Sequence, residues 1–111
     1  MEYRFEKLDL GRGVQVIKVV FEESQYQLFT EYFAAEVGRY PSPVEEALQD
    51  VLSGREPAEM LDGNLFHTQI DHDYTTIVLD VEDEADKMRC AAMRSGELAR
   101  CLEALRKEQQ A

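Results

Sequence analysis

The residues in this sequence with the clearest capacity for chemistry are its two histidines, which lie close together in a stretch rich in aspartate. His67 and His72 are five positions apart, and Asp71 and Asp73 flank the second histidine. Imidazole nitrogens and carboxylate oxygens are ligand types for zinc and other divalent cations. A metal site is therefore the first hypothesis, and the spacing of these four residues tests it.

The spacing does not favour such a site. Residues 65–81 alternate in the manner of a β-hairpin, so side chains 67, 69 and 71 share one strand face. His67 and Asp71 could then converge only with a third ligand, and no other Cys or His stands in a suitable pattern. A calcium loop counted from Asp71 also fails, because Thr76 occupies the position where the sharp turn needs glycine. We therefore predict no metal ion and no other cofactor.

The sequence also lacks the patterns typical of nucleophilic or phosphate chemistry. No nucleophile stands beside a base, and Gly11-Arg12-Gly13 has the length of a tight turn rather than of a phosphate loop. Cys90 and Cys101 each fall on the apolar face of a predicted element, which indicates buried free thiols. We therefore predict that the protein is not an enzyme.

Charge is the strongest signal in the composition. The 111 residues include 23 acidic and 12 basic side chains, which gives a formal net charge of −11. Such a surface repels phosphate and lacks the basic patch that binds nucleic acid or an anionic membrane, whereas it speeds encounter with a cationic protein. The alternative is that the acidity serves solubility alone. We expect a basic protein partner, and neither nucleic acid nor membrane.

The acidic side chains concentrate in and after the hairpin. A run from Glu82 to Asp86 follows its second strand, while Asp71, Asp73 and Asp80 belong to the hairpin itself. We expect this charge to gather at one edge of a sheet and to bind a partner there, with a solvated turn as the alternative. The predicted partner-binding residues are Asp71, Asp73, Tyr74, Glu82, Asp83, Glu84 and Asp86.

Two β-rich segments open the chain. Tyr3–Leu8 and Val14–Phe21 flank the turn signal Leu10-Gly11-Arg12-Gly13, which predicts a first hairpin. The second segment carries apolar side chains at both odd and even positions, so both of its faces need cover. That pattern favours a central place in a sheet.

A first helix is predicted from Gln25 to Val37. Aromatic and aliphatic residues recur there at helical intervals, Ser24 and Gln27 stand at capping-box spacing, and Gly38 is suited to end the helix. Alternation over residues 26–32 leaves a strand as the alternative.

A second helix has a stronger start signal, Ser42-Pro43-Val44-Glu45. Serine caps the first turn, proline occupies a position that needs no amide, and glutamate reaches back from the third position. An apolar stripe continues to Leu52, Gly54 ends the helix, and Glu45 is assigned to its polar face.

The remainder predicts three strands and a last helix. Residues 55–62 are expected to be a connection, and Ser95 is expected to cap the helix. Arg106 and Lys107 fall in the last turn of that helix, where positive charge suits its dipole. The strands are predicted at Leu65–Ile70, Thr75–Val81 and Met88–Met93.

The resulting order ββααβββα predicts an α+β fold with a mainly antiparallel sheet of about five strands and helices packed on one face. The length of 111 residues suits one domain spanning residues 1–111. No leader-like start or membrane-length apolar run occurs, and with only two cysteines a reducing cytoplasm is the expected location.

The C-terminal half resembles small acidic bacterial proteins of the immunity type, which neutralise toxins. The resemblance depends on a helix ending in Val51-Leu52-Ser53-Gly54, on Gly63-Asn64 at the start of a hairpin, on Asp73-Tyr74-Thr75-Thr76-Ile77, and on Ser95-Gly96-Glu97-Leu98 at the start of the last helix. The Trp associated with the end of that helix is absent. The resemblance implies a non-enzymatic protein that binds and blocks a toxin domain.

Three hypotheses of different classes follow. The leading one is a protein-binding inhibitor of the immunity or antitoxin kind, and the same surface fits a phage or mobile-element inhibitor that mimics nucleic acid. A scaffold or subunit of a homo-oligomer would instead assemble through an apolar patch, independently of salt. A small metal-dependent enzyme would carry stoichiometric metal.

Overall fold

The computed structural model describes residues 1–80 and 89–110, and within them the chain forms two antiparallel sheets and three α-helices. This confirms the predicted α+β class, whereas six strands in two sheets replace the predicted single sheet of about five. The elements are β1 (Tyr3–Asp9), β2 (Gln15–Phe21), a 3-10 turn (Ser24–Tyr26), α1 (Leu28–Tyr32), a π-helical turn (Phe33–Val37), α2 (Pro43–Leu52), β3 (Ala58–Asp62), β4 (Phe66–Asp71), β5 (Tyr74–Leu79), β6 (Arg89–Arg94) and α3 (Ser95–Gln110).

The larger sheet runs in the order β3-β4-β5-β6, with every neighbouring pair antiparallel. Its central strands alternate strictly: Phe66, Thr68 and Ile70 of β4 are buried, while the residues between them are exposed. Ile77 and Met93 continue the buried face on β5 and β6. The buried side chains meet those of all three helices, so one face of the sheet carries the main core.

Strand β3 lies where the sequence predicted a connection, and that prediction is wrong over residues 58–62. Ala, Glu and Asp are poor β-formers, so local propensity gives little signal there. The strand forms because it pairs with β4 along its whole length, from Ala58 opposite Asp71 to Asp62 opposite His67. Pro57 stands just before the strand, where it removes no ladder hydrogen bond.

Strands β1 and β2 form a separate two-stranded sheet, so the predicted central position of the second strand is wrong. Its odd positions face the core, with Val19 and Phe21 each only 2 % exposed. Its even face is uncovered towards the tip of the hairpin, where Val14 is 47 % and Val16 is 42 % exposed. The second segment therefore has apolar residues on both faces, but other elements pack on only one of them.

The segment from Ser24 to Val37 is helical, which confirms the predicted helix against the strand alternative. The expected capping box of Ser24 and Gln27 does not form. Glu23 holds the N-cap position instead, and no side chain makes a capping hydrogen bond. The segment supplies the aromatic centre of the core, in which Tyr32 stacks edge-on against Phe66 with ring centroids 5.2 Å apart. Burial raises the pKa of Tyr32 to about 12, and its hydroxyl hydrogen-bonds to Thr68 at 2.8 Å.

Helix α2 begins as predicted at Ser42-Pro43. The Ser42 hydroxyl accepts from the Glu45 amide at 3.3 Å and donates to the Glu45 carboxylate at 2.9 Å. The carboxylate is not on an open polar face, however, because it also receives the guanidinium of Arg106 from helix α3.

Arg106 was expected in the last turn of α3, but the helix continues to Gln110, so Arg106 precedes that turn and is only 8 % exposed. Its guanidinium binds the Glu45 carboxylate, donates to the Gly38 carbonyl at 2.8 Å and lies 5.5 Å from the centre of the Tyr40 ring. Position 106 follows Leu102 by one helical turn, so it borders the apolar stripe that packs on α2. The ion pair therefore fixes α3 against α2.

A second carboxylate, that of Glu36, holds the turn between β3 and β4. It accepts the amides of Asn64 at 3.0 Å, Leu65 at 2.7 Å and Phe66 at 3.2 Å. Gly63 allows this approach, because a Cβ there would stand 1.8 Å from a Glu36 oxygen. Glu36 thus ties the helical layer to the strand that the sequence did not predict.

We expect Glu36→Ala to lower the free energy of unfolding by about 2 kcal/mol, because it removes a charged acceptor shared by three amides. Glu36→Gln, which keeps one acceptor oxygen, should cost about half as much. Urea denaturation followed by circular dichroism measures both. Glu31→Ala is the control, since Glu31 pairs with Arg89 only at the surface and should cost less than about 1 kcal/mol. Equal costs at Glu36 and Glu31 would contradict this role.

Candidate functional site

The four-stranded sheet has a second face, turned away from the main core, which we call the outer face. Cross-strand register places its side chains in three rows. The rows are Asp62-His67-Val78-Cys90, Met60-Gln69-Thr76-Ala92 and Ala58-Asp71-Tyr74-Arg94.

No helix or strand of the described ranges 1–80 and 89–110 packs on the outer face. Gln69 and Ala92 are exposed, and Met60, at 78 %, is the most exposed large apolar side chain described. Thr76 and Val78 are half-buried among their neighbours. The middle row of the outer face therefore carries no charged side chain.

One end of the outer face is the turn between β4 and β5. The Asp71 carboxylate accepts the amides of Asp73 at 3.0 Å and Tyr74 at 2.8 Å, so it builds the turn itself. Ser95, the first residue of α3, donates its hydroxyl to the Asp71 carbonyl at 2.7 Å and its amide to the Asp73 carbonyl at 3.0 Å. Ser95 was expected to cap the last helix, but it is the first residue of α3 instead, and its two hydrogen bonds join the start of that helix to the β4–β5 turn.

The predicted anchor Tyr74 lies at this end and is 45 % exposed. The Arg94 guanidinium of β6 stands 5.4 Å from the centre of its ring, which holds the ring across the sheet. Asp73 is exposed beside His72, with 3.6 Å between carboxylate and ring nitrogen. Tyr74, Asp71 and Asp73 are thus close together at this end of the outer face.

The opposite end of the outer face is organised by His67. One ring nitrogen meets the Asp62 carboxylate of β3 at 2.5 Å, and the other meets Asp80, just after β5, at 3.2 Å. Hydrogen bonds first to Asp62 and then to Asp80 raise the pKa of His67 above its usual 6.5. When protonated, the ring joins three segments of the sheet.

These three groups do not form a metal centre, because the imidazole directs its two nitrogens to separate carboxylates. Within residues 1–80 and 89–110, no three His, Cys, Asp or Glu side chains are placed to hold a metal ion. His67 and Asp71, considered as ligands from the sequence, belong to different rows of the sheet. The hydrogen bonds of His67 instead serve to hold the sheet end together.

The carboxylates expected to gather at one edge are divided between the two ends. Strand β5 separates the Asp71–Tyr74 turn from Asp80, and at about 3.3 Å per residue the separation is roughly 20 Å. The predicted binding residues Glu82, Asp83, Glu84 and Asp86 lie outside the described residues. The described chain ends at Asp80 and resumes at Arg89, and β5 and β6 there pair Leu79 with Arg89. Acidic side chains therefore flank the outer face at both ends.

The residues at the middle of the face were not singled out from the sequence. None of these residues has a charged or catalytic side chain. They form a row only because four strands pair, and the row is Met60, Gln69, Thr76 and Ala92. The available signal was the alternation within β3, in which Glu59 and Leu61 are half-buried and Met60 between them is exposed.

The two cysteines differ. Cys101 is buried as predicted, and burial raises the pKa of its thiol to about 12, which makes it unreactive. Cys90 is exposed on the outer face, so its predicted burial is wrong. The residues around it explain the error: its apolar neighbours Ala91 and Met93 face the core side, and Cys90 alternates with them.

Comparison of the chain with protein-family models, with curated proteins and with solved structures finds no match. In the part of the chain that the structure describes, no helix combines the length and the apolar character needed to cross a bilayer.

We expect the pKa of His67, measured by NMR titration, to exceed 6.5 and to fall in Asp62→Asn and, to a smaller extent, in Asp80→Asn. Because the folded-state pKa is raised, protonated His67 stabilises the fold fully below the unfolded-state pKa. That contribution is lost as the pH rises through the folded-state pKa. His67→Gln should lack this component of the pH dependence. An unchanged pKa in both Asn variants would contradict the arrangement.

Proposed function

We propose that this protein is a non-enzymatic inhibitor of the immunity or antitoxin kind, which binds a basic protein such as the nuclease domain of a toxin. The observation that carries the proposal is an uncovered sheet face flanked by carboxylates in a chain of net charge −11. The inhibitor acts by occlusion, since it covers the partner's functional surface rather than modifying it.

Electrostatics supports a cationic partner. The acidic surface attracts such a partner over about one Debye length, near 8 Å at physiological salt, and raises the association rate. Asp62 and Asp80 at one end and Asp73 at the other provide negative charge beside the uncharged middle row of the face. The acidic run after Asp80 extends the negative sequence further.

Residence time depends on the uncharged groups. Tyrosine is enriched among the residues that contribute most to binding energy, and aromatic and methionine side chains are enriched at protein interfaces in general. Met60 and Tyr74 are such side chains on the outer face, and Arg94 fixes the Tyr74 ring before binding. Little conformational entropy is then lost at this anchor.

A matched pair of substitutions tests the surface. Gln69→Arg puts a positive, bulky group at the middle of the outer face, and Gln49→Arg makes the same change at an exposed position of α2. Each variant is co-expressed with the product of the neighbouring gene, and binding of the purified pair is measured by calorimetry. We expect Gln69→Arg to weaken binding at least about tenfold, or about 1.4 kcal/mol, and to abolish protection from toxicity, while Gln49→Arg preserves both.

A second arm tests the charge. Reversal of Glu82, Asp83 and Glu84 to Lys should slow association and flatten its salt dependence, with a smaller effect on dissociation. If Gln69→Arg binds as tightly as Gln49→Arg, or if the neighbouring gene product is not bound at all, the proposal is wrong. Binding of a nucleic-acid-binding defence protein instead would identify the nucleic-acid mimic.

A further inference from the structure

A groove of about 790 Å³ runs beneath the β1–β2 hairpin, and none of the described residues that line it belongs to the three rows of the outer face. Its walls are β2, the helical segment that follows it and the end of α3, represented by Ile17, Phe33 and Leu105. Six consecutive residues from Val14 to Val19 line it. Since successive strand side chains point to opposite faces, a wall of consecutive residues means that the groove follows the edge of β2.

The backbone of this edge is unpaired. Leu10 donates to the Val14 carbonyl, and Glu22 donates to the Glu2 carbonyl, so the even positions of β2 hydrogen-bond to β1. In an antiparallel pair the odd positions then direct their N–H and C=O groups away from β1. Within the described ranges, the Gln15 and Ile17 backbones make no bond on that side.

The far end of the edge is closed. The Thr30 hydroxyl donates to the Val19 carbonyl at 2.6 Å, so α1 already occupies the acceptor of the edge at that residue. Two residues, Gln15 and Ile17, thus remain as donors and acceptors for an added strand. An open edge of this kind is a template for β-augmentation.

The groove is apolar and locally basic. Exposed apolar side chains line it, namely Leu8, Val14, Val16 and Tyr40. It also presents Lys7, Lys18 and Arg39, and none of the three is in an ion pair within residues 1–80 and 89–110.

The lining of the same groove contains fewer acidic than basic side chains. Glu31 is already paired with Arg89, at 3.4 Å, which leaves Glu108 as the other carboxylate of the lining. In a chain of net charge −11, this concentration of free cations is the exception. Its charge complements an acidic occupant rather than the basic partner of the outer face.

We propose that the edge of β2 binds an extended, acidic segment of a second protein as a third strand of the β1–β2 sheet. Main-chain hydrogen bonds to Gln15 and Ile17 hold the segment, and its alternate apolar side chains pack on Ile17 and Phe33 in the groove, so that the carboxylates between them lie on the sheet face of Lys18. Carboxylates of the segment meet Lys18 and Arg39. The protein therefore has two docking surfaces of opposite charge preference.

The test uses a labelled short peptide of alternating valine and glutamate, and a charge-swapped peptide of alternating valine and lysine, in fluorescence anisotropy titrations. We expect the glutamate peptide to bind and the lysine peptide not to bind. Amide shifts in NMR spectra should be confined to residues 14–19 and the facing helices.

Variants separate edge pairing from other modes of binding. Gln15→Pro removes an edge N–H that does not bond to β1, so it should abolish binding without unfolding the hairpin, while Gln15→Thr keeps the amide and should bind. Arg39→Glu should weaken binding about tenfold, and the same change at Arg55, outside the groove, should not.

Failure of the glutamate peptide to bind, equal binding of both peptides, or undiminished binding by folded Gln15→Pro would each overturn the proposal. Sedimentation analysis tests the remaining alternative, in which a second copy of this protein occupies the edge. If the protein alone forms a dimer that Gln15→Pro dissociates, the edge pairs with a second copy and the acidic segment is wrong.

Discussion

The two-residue alternation of β4 and β5 is the constraint on which the rest of the structure depends. It buries Phe66, Thr68 and Ile70 on one side and so directs every described helix to that side. The opposite side is left open as a consequence of the same pattern. The candidate binding face therefore follows from the way the core is built, and no separate element is needed to create it.

Polar contacts then hold the layers in register. Glu36 fixes the β3–β4 turn, Ser95 fixes the β4–β5 turn, and the Arg106–Glu45 pair fixes α3 to α2. Each contact joins residues distant in sequence, and the first two set the edges of the outer face. Charge in this acidic chain thus has two uses: a few buried or shared carboxylates build the fold, and the exposed ones shape its surface potential.

Local signals in the sequence predicted the elements that local chemistry determines. The Ser42-Pro43 start of α2, the hairpin around Asp71 and Tyr74 and the buried Cys101 are confirmed because caps, turns and period-two alternation are readable over a few residues. Features that arise from strand pairing were missed, namely β3 and the middle row of the outer face, and the predicted burial of Cys90 was wrong because Cys90 alternates with the core-facing Ala91 and Met93. The β2 prediction was wrong because apolar side chains also occur on open faces, and only the topology shows which face is covered.

We propose that a cationic partner binds the outer face rather than a helical surface. Backbone amide spectra of the protein with and without the neighbouring gene product test it most directly. We predict that the perturbed amides are those of the rows containing Gln69, Thr76 and Ala92 and of the turn at Tyr74. Perturbations confined to the exposed sides of α2 and α3 would contradict the claim.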